Sequence, residues 1–228
     1  MDLRHRDRMA FLRILSGRFE KDMLVYHSRL QRELRLARAY RIFAREREPI
    51  EEAFPGDIVG LINPGMFAIG DTVSTGESVE LADIPRFMPE RFAVLRNQDI
   101  GRYKQFNQGL LQLEEEGAIQ ILHAESAQRR EPILAAVGEL QFDVVLARLR
   151  EEYGVRASID PLPFTCARWI EEEPSVDSMI LHSGALLCRD REGRAVMLFT
   201  SDWNLDYFRR ANPTIAIAEA DAAWIADS

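Results

Sequence analysis

Tyr103-Lys104-Gln105-Phe106-Asn107-Gln108-Gly109-Leu110-Leu111-Gln112-Leu113-Glu114-Glu115-Glu116-Gly117-Ala118-Ile119-Gln120-Ile121-Leu122 is the stretch on which the fold class turns. Tyr103, Phe106, Leu110 and Leu113 recur at i, i+3, i+7 and i+10, the spacing of one face of a helix. The run closes on Glu115-Glu116-Gly117, where glycine suits the left-handed residue that ends a helix, and Ala118 to Leu122 reads as a strand. The same pattern returns further along the chain: Phe142, Val145, Leu146, Leu149 and Tyr153 mark a second helix, and Glu151-Glu152-Tyr153-Gly154-Val155 leads into a strand over Val155 to Ile159. With strand-like runs at Arg91 to Leu95 and Ile133 to Val137, the order is β-α-β-β-α-β, the ferredoxin-like arrangement.

On the N-terminal side the period changes from 3.6 to two. Leu30, Leu34, Leu36, Tyr40, Ile42 and Ala44 alternate with mostly polar residues, which favours strands. A helix over 29–45 stays arguable on the propensities of Ala, Leu and Arg, but its apolar stripe would carry Arg38 or Arg41 into the core. Phe54-Pro55-Gly56-Asp57 and Asn63-Pro64-Gly65 are turns around Ile58-Val59-Gly60-Leu61, and Ile69 to Val73 follows. Short strands with Gly and Pro turns over residues 8–75 suggest a small β-barrel. The pattern switches after Ile84-Pro85. On the C-terminal side, Ala185 to Cys188 and Ala195 to Thr200 suit a hairpin, Trp203 to Arg210 a short helix halted at Asn212-Pro213, and Thr214 to Ala218 a last strand, with a frayed tail beyond Ala220. The fold class is α+β.

Composition narrows the function. The 228 residues carry 29 Lys+Arg against 37 Asp+Glu, a net charge of −8, and 46% are hydrophobic. No apolar run approaches the about 20 residues a membrane helix needs, and the N-terminus is charged from Asp2, unlike a secretory signal. A cytoplasmic location is expected. Two cysteines, Cys166 and Cys188, make no disulfide framework and read as free thiols. Residues 1–50 hold 13 basic and 7 acidic residues, whereas 51–228 hold 16 and 30, a split that suggests a basic face for a polyanion.

The only lysines, Lys21 and Lys104, follow Glu20 and Tyr103, so neither can serve a phosphate loop, which places Gly directly before Lys. There is also no Gly-x-Ser-x-Gly, His-Glu-x-x-His or Cys-x-x-Cys. His123, His182 and Cys188 lack the further ligands of a zinc site. Glu114 to Glu116 and Glu171 to Glu173 read as solvated runs, and Trp169 and Trp203 as core or domain packing. The chain reads as a binding module rather than an enzyme, with no cofactor or metal of its own.

Several stretches carry a family resemblance. Asp7-Arg8-Met9-Ala10-Phe11-Leu12-Arg13-Ile14-Leu15-Ser16-Gly17, Glu52 to Leu61 and Ile69-Gly70-Asp71-Thr72 resemble the second-domain barrel of translational GTPases. His5-Arg6-Asp7-Arg8, Ile84-Pro85-Arg86-Phe87, Gly109 to Gly117, Ala136-Val137-Gly138-Glu139-Leu140-Gln141-Phe142-Asp143-Val144-Val145 and Ala167-Arg168-Trp169 are similar to the bacterial peptide chain release factor three family, over nearly the whole chain. The resemblance implies domain II, a β-barrel, over 1–84, and domain III over 85–228, with a ferredoxin-like core at about 86–171 and a hairpin and helix extension. It also implies a further barrel strand ahead of Met1. In that family GTP and Mg²⁺ belong to a preceding G domain, of which this sequence holds nothing. The turn Leu30-Gln31-Arg32-Glu33 lacks the glycine usual in the family, and Pro174 to Ser183 diverges most.

The family's full-length members act in translation termination: in the GTP form they bind the ribosome and promote departure of the codon-reading release factor. The implied role of domains II and III is to dock on small-subunit rRNA and protein and to relay the state of the G domain. The alternative is a stand-alone ribosome-binding regulatory protein that has lost the GTPase. Arg4, His5, Arg6 and Arg8 form the densest basic cluster and are the candidate rRNA contacts, since each neutralised phosphate adds a salt-dependent increment of affinity. Against that stands a solvated terminus in which Asp7 pairs locally. Arg29, Arg32, Arg35 and Arg41 extend the cluster but alternate between the faces of a strand pair, and Gly138 to Phe142 reads as a structural turn into a helix.

Overall fold

A computed structural model describes residues 8–43, 46–63, 65–79, 81, 87–125, 131–172 and 179–218. They fall into two units, one within Met1–Ile84 and one within Pro85–Ala226. Among the described residues no helix is long and apolar enough to cross a membrane.

Among its described residues the first unit holds nine strands: β1 (Arg8–Arg13), β2 (Phe19–Glu20), β3 (Leu24–His27), β4 (Arg32–Arg35), β5 (Ala39–Phe43), β6 (Glu46–Pro49), β7 (Glu52–Ala53), β8 (Ile58–Asn63) and β9 (Val73–Ser74). They pair antiparallel in three small sheets, ordered β1-β8-β5-β6, β2-β7 and β4-β3-β9. One core serves them all, in which Phe19, Val25, Leu34, Leu36, Val59 and Leu61 are buried. Strands β4 and β5 stand where a helix over 29–45 was arguable, and the alternation needs one correction; Ala44 and the side chain of Ile42 lie outside the described residues. Leu34 and Leu36 point inward, but in β5 the buried residue is Ala39 while Tyr40 is only half-buried. Arg38 lies between them at φ 58°, and this left-handed residue rotates the chain by one place in the alternation. Gln31, in the turn without glycine, also takes a left-handed backbone, at φ 48°.

The second unit is built on β10 (Arg91–Asn97), α1 (Tyr103–Glu115), β11 (Gln120–Ala124), β12 (Ile133–Ala136), α2 (Leu140–Tyr153) and β13 (Ala157–Pro161). Its strands lie antiparallel in the order β13-β10-β12-β11. Both helices end at glycine in the left-handed region, Gly117 at φ 69° and Gly154 at φ 64°. The chain then crosses the whole sheet to lay down β14 (Cys166–Trp169) at the far edge, and β15 (Ala185–Arg189) and β16 (Ala195–Phe199) fill the gap before α3 (Asp202–Ala211). Because β15 pairs with β11, the result is one sheet of seven strands, β13-β10-β12-β11-β15-β16-β14.

Alternation along these strands gives the sheet two apolar faces. Ala93, Leu95, Ile121 and Leu134 pack under α1 and α2. Leu187, Met197 and Phe199, on the same face by register, pack under α3 through Leu205 and Phe208. Phe92, Leu122, Ile133, Ala167, Val196 and Leu198 form the core of the opposite face. Three expectations need correction. Tyr103, placed on the buried stripe of α1, is 64% exposed because the stripe is carried by Phe106, Leu110 and Leu113. Val155 is buried but precedes its strand, which begins at Ala157. The segment from Thr214 to Ala218 forms only the isolated bridge Ile170–Ile217. The tail expected to fray beyond Ala220 lies outside the described residues.

Candidate functional site

Arg4, His5 and Arg6 lie outside the described residues. Arg8 opens β1, with its backbone opposite Asn63 of β8, and its side chain is likewise outside the described part. The cluster therefore leads into an outer strand of the four-stranded sheet of the first unit.

The charge split along the sequence is partly undone by folding. Residues 51–84 contain no Lys or Arg and seven acidic residues, and they return to the basic segment as partners. Arg18 pairs with Glu52 at 2.8 Å and Lys21 with Glu51 at 2.8 Å. Arg29 donates to both oxygens of Asp71, Nε to Oδ1 at 2.6 Å and Nη2 to Oδ2 at 2.8 Å. Arg35 approaches Asp22 at 3.3 Å. What remains for a polyanion is a smaller set: the side chains of Arg13, Arg32, Arg38, Arg41 and Arg47 are exposed and make no ion pair or hydrogen bond among the described residues. Register separates two of them, since Arg41 faces Glu48 while Arg47 faces Ile42 at the next position, on the other side of the hairpin.

A polar clamp that the sequence did not advertise shapes this unit. His27 is fully buried on β3, stacked on Phe67 with ring centroids 5.5 Å apart. Its Nδ1 accepts the Leu30 N–H at 3.3 Å, which leaves the proton on Nε2, 3.1 Å from Asp71 Oδ2 but off the axis of a hydrogen bond. Asp71 Oδ2 also accepts the Ala68 N–H at 2.6 Å. Burial pushes the Asp71 carboxyl up, but the Arg29 and Ala68 hydrogen bonds outweigh it and hold the group below its ordinary value. The clamp ties the 66–73 loop to the β3–β4 turn, across about 40 residues of sequence, so no local pattern could have announced it.

In the second unit the motif residues have structural tasks. Gln141 Oε1 accepts the N–H groups of Val137 and Gly138, at 2.8 and 3.2 Å, and its Nε2 donates to Ala118 O at 3.1 Å. One side chain thus fastens the turn into α2 to the start of β11. Glu114 to Glu116 are not simply solvated: Glu114 accepts the Ile121 N–H, Glu115 pairs with Arg191, and Glu116 with Arg148. Burial pushes the Glu114 carboxyl up. Glu171 and Glu172 are exposed, and Glu173 lies outside the described residues. His182 Nδ1 accepts the Gly184 N–H, so Nε2 carries the proton toward Asn204 O at 3.2 Å. Trp169 is core and donates to Asp190 at 2.8 Å, whereas Trp203 is 65% exposed and stacks on Tyr207. Cys188 is buried and Cys166 half-buried, with its thiol pushed up by burial. Among the described residues no group of three or more His, Cys, Asp or Glu side chains could hold a metal ion.

Comparison with known proteins bears on both units. Residues 81–209 match the family described as "Class II release factor RF3, C-terminal domain", and residues 1–76 match "Elongation factor G domain 2". The chain is similar to peptide chain release factor 3 of Gloeobacter violaceus, 48% identical over 96% of this chain and 42% of that protein. It is likewise similar to peptide chain release factor 3 of Synechococcus elongatus, at 48% over 95% of this chain and 39% of that one. The chain spans about two fifths of the length of these relatives. A solved protein from Thermus thermophilus shares the fold over 80% of this chain and 28% of that one, with a TM-score of 0.57 at 19% identity.

Proposed function

Because the chain belongs to the family of peptide chain release factor 3, we propose that it is the ribosome-docking and conformational-relay portion of such a factor. Its first unit serves as domain II, a small barrel, over 1–84. Its second serves as domain III over 85–228, with a ferredoxin-like core whose support is the antiparallel order β13-β10-β12-β11 around two helices on one face. The observation that carries the reading is the identity of nearly half the residues over almost the entire chain, which favours the release factor over an independent regulatory protein.

In this reading the chain binds no nucleotide itself. GTP and Mg²⁺ act through the G domain of the full-length factor, and these two units bear on small-subunit rRNA and protein in the cytoplasm. A relay must contact its partner differently in two states, since a ligand shifts an equilibrium only by its differential affinity. Departure of the codon-reading release factor is the event so driven. The basic entry to β1, Arg4 to Arg8, is the proposed rRNA contact.

Co-sedimentation with purified bacterial ribosomes over a salt series tests this. Saturable binding that weakens with salt is expected, and Arg4→Ala/Arg6→Ala/Arg8→Ala should flatten the salt dependence by about one power for each phosphate no longer neutralised. Binding that ignores both salt and the triple substitution would remove the cluster from the interface, and absence of binding at low salt would remove the docking role from the isolated chain. A fluorescent GTP analogue should show no micromolar binding.

A further inference from the structure

The helical face of the second unit carries a groove of about 830 Å³ between α1 and the ends of β10, β11 and β12, closed at one side by the β15–β16 turn. Such a volume is in the range of sites that enclose small molecules or a few side chains. Its floor is apolar, with Leu95, Phe106, Leu110 and Ile121 contributed from core positions. Ile100, 90% exposed, Tyr103 and Leu111 stand at its mouth. Large apolar side chains on a rim beside an apolar floor are what a partner would cover.

The charges on the walls choose the partner. Arg96 is held by Asp160 at 2.5 Å and by Glu131 at 2.8 Å, and Arg191 by Glu115 at 3.0 Å, so both lining cations are already satisfied. Glu114 spends one oxygen on the Ile121 N–H. Asp190 is neutralised by Arg194, whose Nε donates to it at 2.8 Å. With these ion partners counted, two lining cations stand against four carboxylates, Glu131 and Glu114 on the wall and Asp160 and Glu115 beside it. A polyanion meets repulsion here, while a cationic side chain finds acceptors beside an apolar slot.

We propose that this groove is a docking site for a basic segment of a partner protein, one that inserts a bulky apolar side chain between α1 and the sheet while flanking Lys or Arg residues meet the wall carboxylates. The inference stands on the second unit alone and is independent of where the basic entry to β1 binds. Burial of the Glu114 carboxyl agrees with it: an arriving cation would restore the ionised form that burial disfavours.

The test uses the full chain and three fluorescein-labelled peptides: arginine alternating with leucine and phenylalanine, the same with glutamate for arginine, and the same with serine for the apolar residues. Fluorescence anisotropy should show saturable binding of the first alone, weakened by salt. Ile100→Ser/Leu111→Ser should weaken it at least tenfold, with an unchanged circular dichroism spectrum. Trp203→Ser and Leu140→Ser, which alter exposed apolar residues elsewhere, should leave it within twofold. Hydrogen exchange should slow in residues 100–114 when the peptide binds. Equal binding of the acidic peptide, no binding of the basic one, or indifference to the Ile100/Leu111 change would overturn the proposal. Displacement of the peptide from that face by single-stranded RNA that itself protects residues 100–114 would assign the groove to nucleic acid instead.

Discussion

The two units solve the same problem, burying enough surface to stay folded, with different means. The second runs one sheet of seven strands under three helices, so each interior strand is covered on both faces and paired on both edges. The first divides nine strands, three of them only two residues long, among three sheets that share a single core. Each unit also buries a carboxylate held by a guanidinium, Asp71 with Arg29 in the first and Asp190 with Arg194 in the second, and the first adds a fully buried imidazole, His27. A broad sheet is secured chiefly by its area, with its buried carboxylate at the β15–β16 turn, whereas a core enclosed by short strands leans on polar ties that fix its loops.

Substitutions can break this contrast. Leu134 sits in the interior strand β12 under both helices, where neighbours cannot collapse into a void, and Leu134→Ala should cost the second unit about 3–4 kcal/mol. Leu61→Ala in the first unit should cost about 2–3 kcal/mol, because the core around it is closed partly by strands of only two residues, which relax more readily. Exchange protection of backbone amides reads the two units separately, and a larger loss from Leu61→Ala would reverse the comparison. Next in size is the clamp. Asp71→Asn removes charge-assisted bonds from Arg29 and should cost the first unit about 2 kcal/mol. The sign with pH follows from the lowered carboxyl. The stabilisation is complete above the ordinary carboxylate value of 3.8 and is lost as pH falls through the lower folded-state value. Acid unfolding of the first unit should therefore lose its steepest part in the Asn variant. An unchanged acid profile would show that the clamp carries no net energy.

How much of this was legible depended on distance along the chain. Helices α1 and α2 were readable because their stripes repeat within one segment and each ends on a glycine that must be left-handed. Strand β14 was not, since Cys166 to Trp169 is four residues long with no turn signal of its own, and its partner β16 lies some 30 residues on. The same holds for β2 and β7, which pair far away in sequence, while the strand expected over Ile69 to Val73 is met only at its end, in β9. The shift of phase at Arg38 was hidden because nothing in an arginine announces a left-handed backbone. Among functional residues, the basic cluster was visible as composition. The Asp71 clamp and the groove beside α1 are made by long-range contact and were not.

Smaller changes sharpen the comparison where α1 meets α2. A methyl group on Gly109 would come within 2.8 Å of Leu149 Cδ2 and 3.0 Å of the Tyr153 ring, and Leu149 is fully buried. Alanine gains about 1 kcal/mol of helix propensity but overpacks the contact by about 1–3, so Gly109→Ala should be destabilising by about 1 kcal/mol in denaturant melts. A stabilised variant would mean that the helices can part, and that the second unit is less rigid than its sheet implies.

Glu114 offers the smallest effect and the most pointed one. Its carboxyl is pushed up by burial, with the Ile121 N–H only partly restoring it, so ionising it costs more in the folded state than in the unfolded chain. Stability held back by that charge returns as pH falls through the raised folded-state value. Glu114→Gln keeps an acceptor for the Ile121 N–H and should gain a few tenths of a kcal/mol at pH 7, a gain that vanishes in acid. The same substitution should weaken the basic peptide about threefold, since it deletes one wall carboxylate. Stability and binding would then move in opposite directions, as expected of a buried charge retained for recognition. If both rise together, the carboxylate serves neither the fold nor the groove.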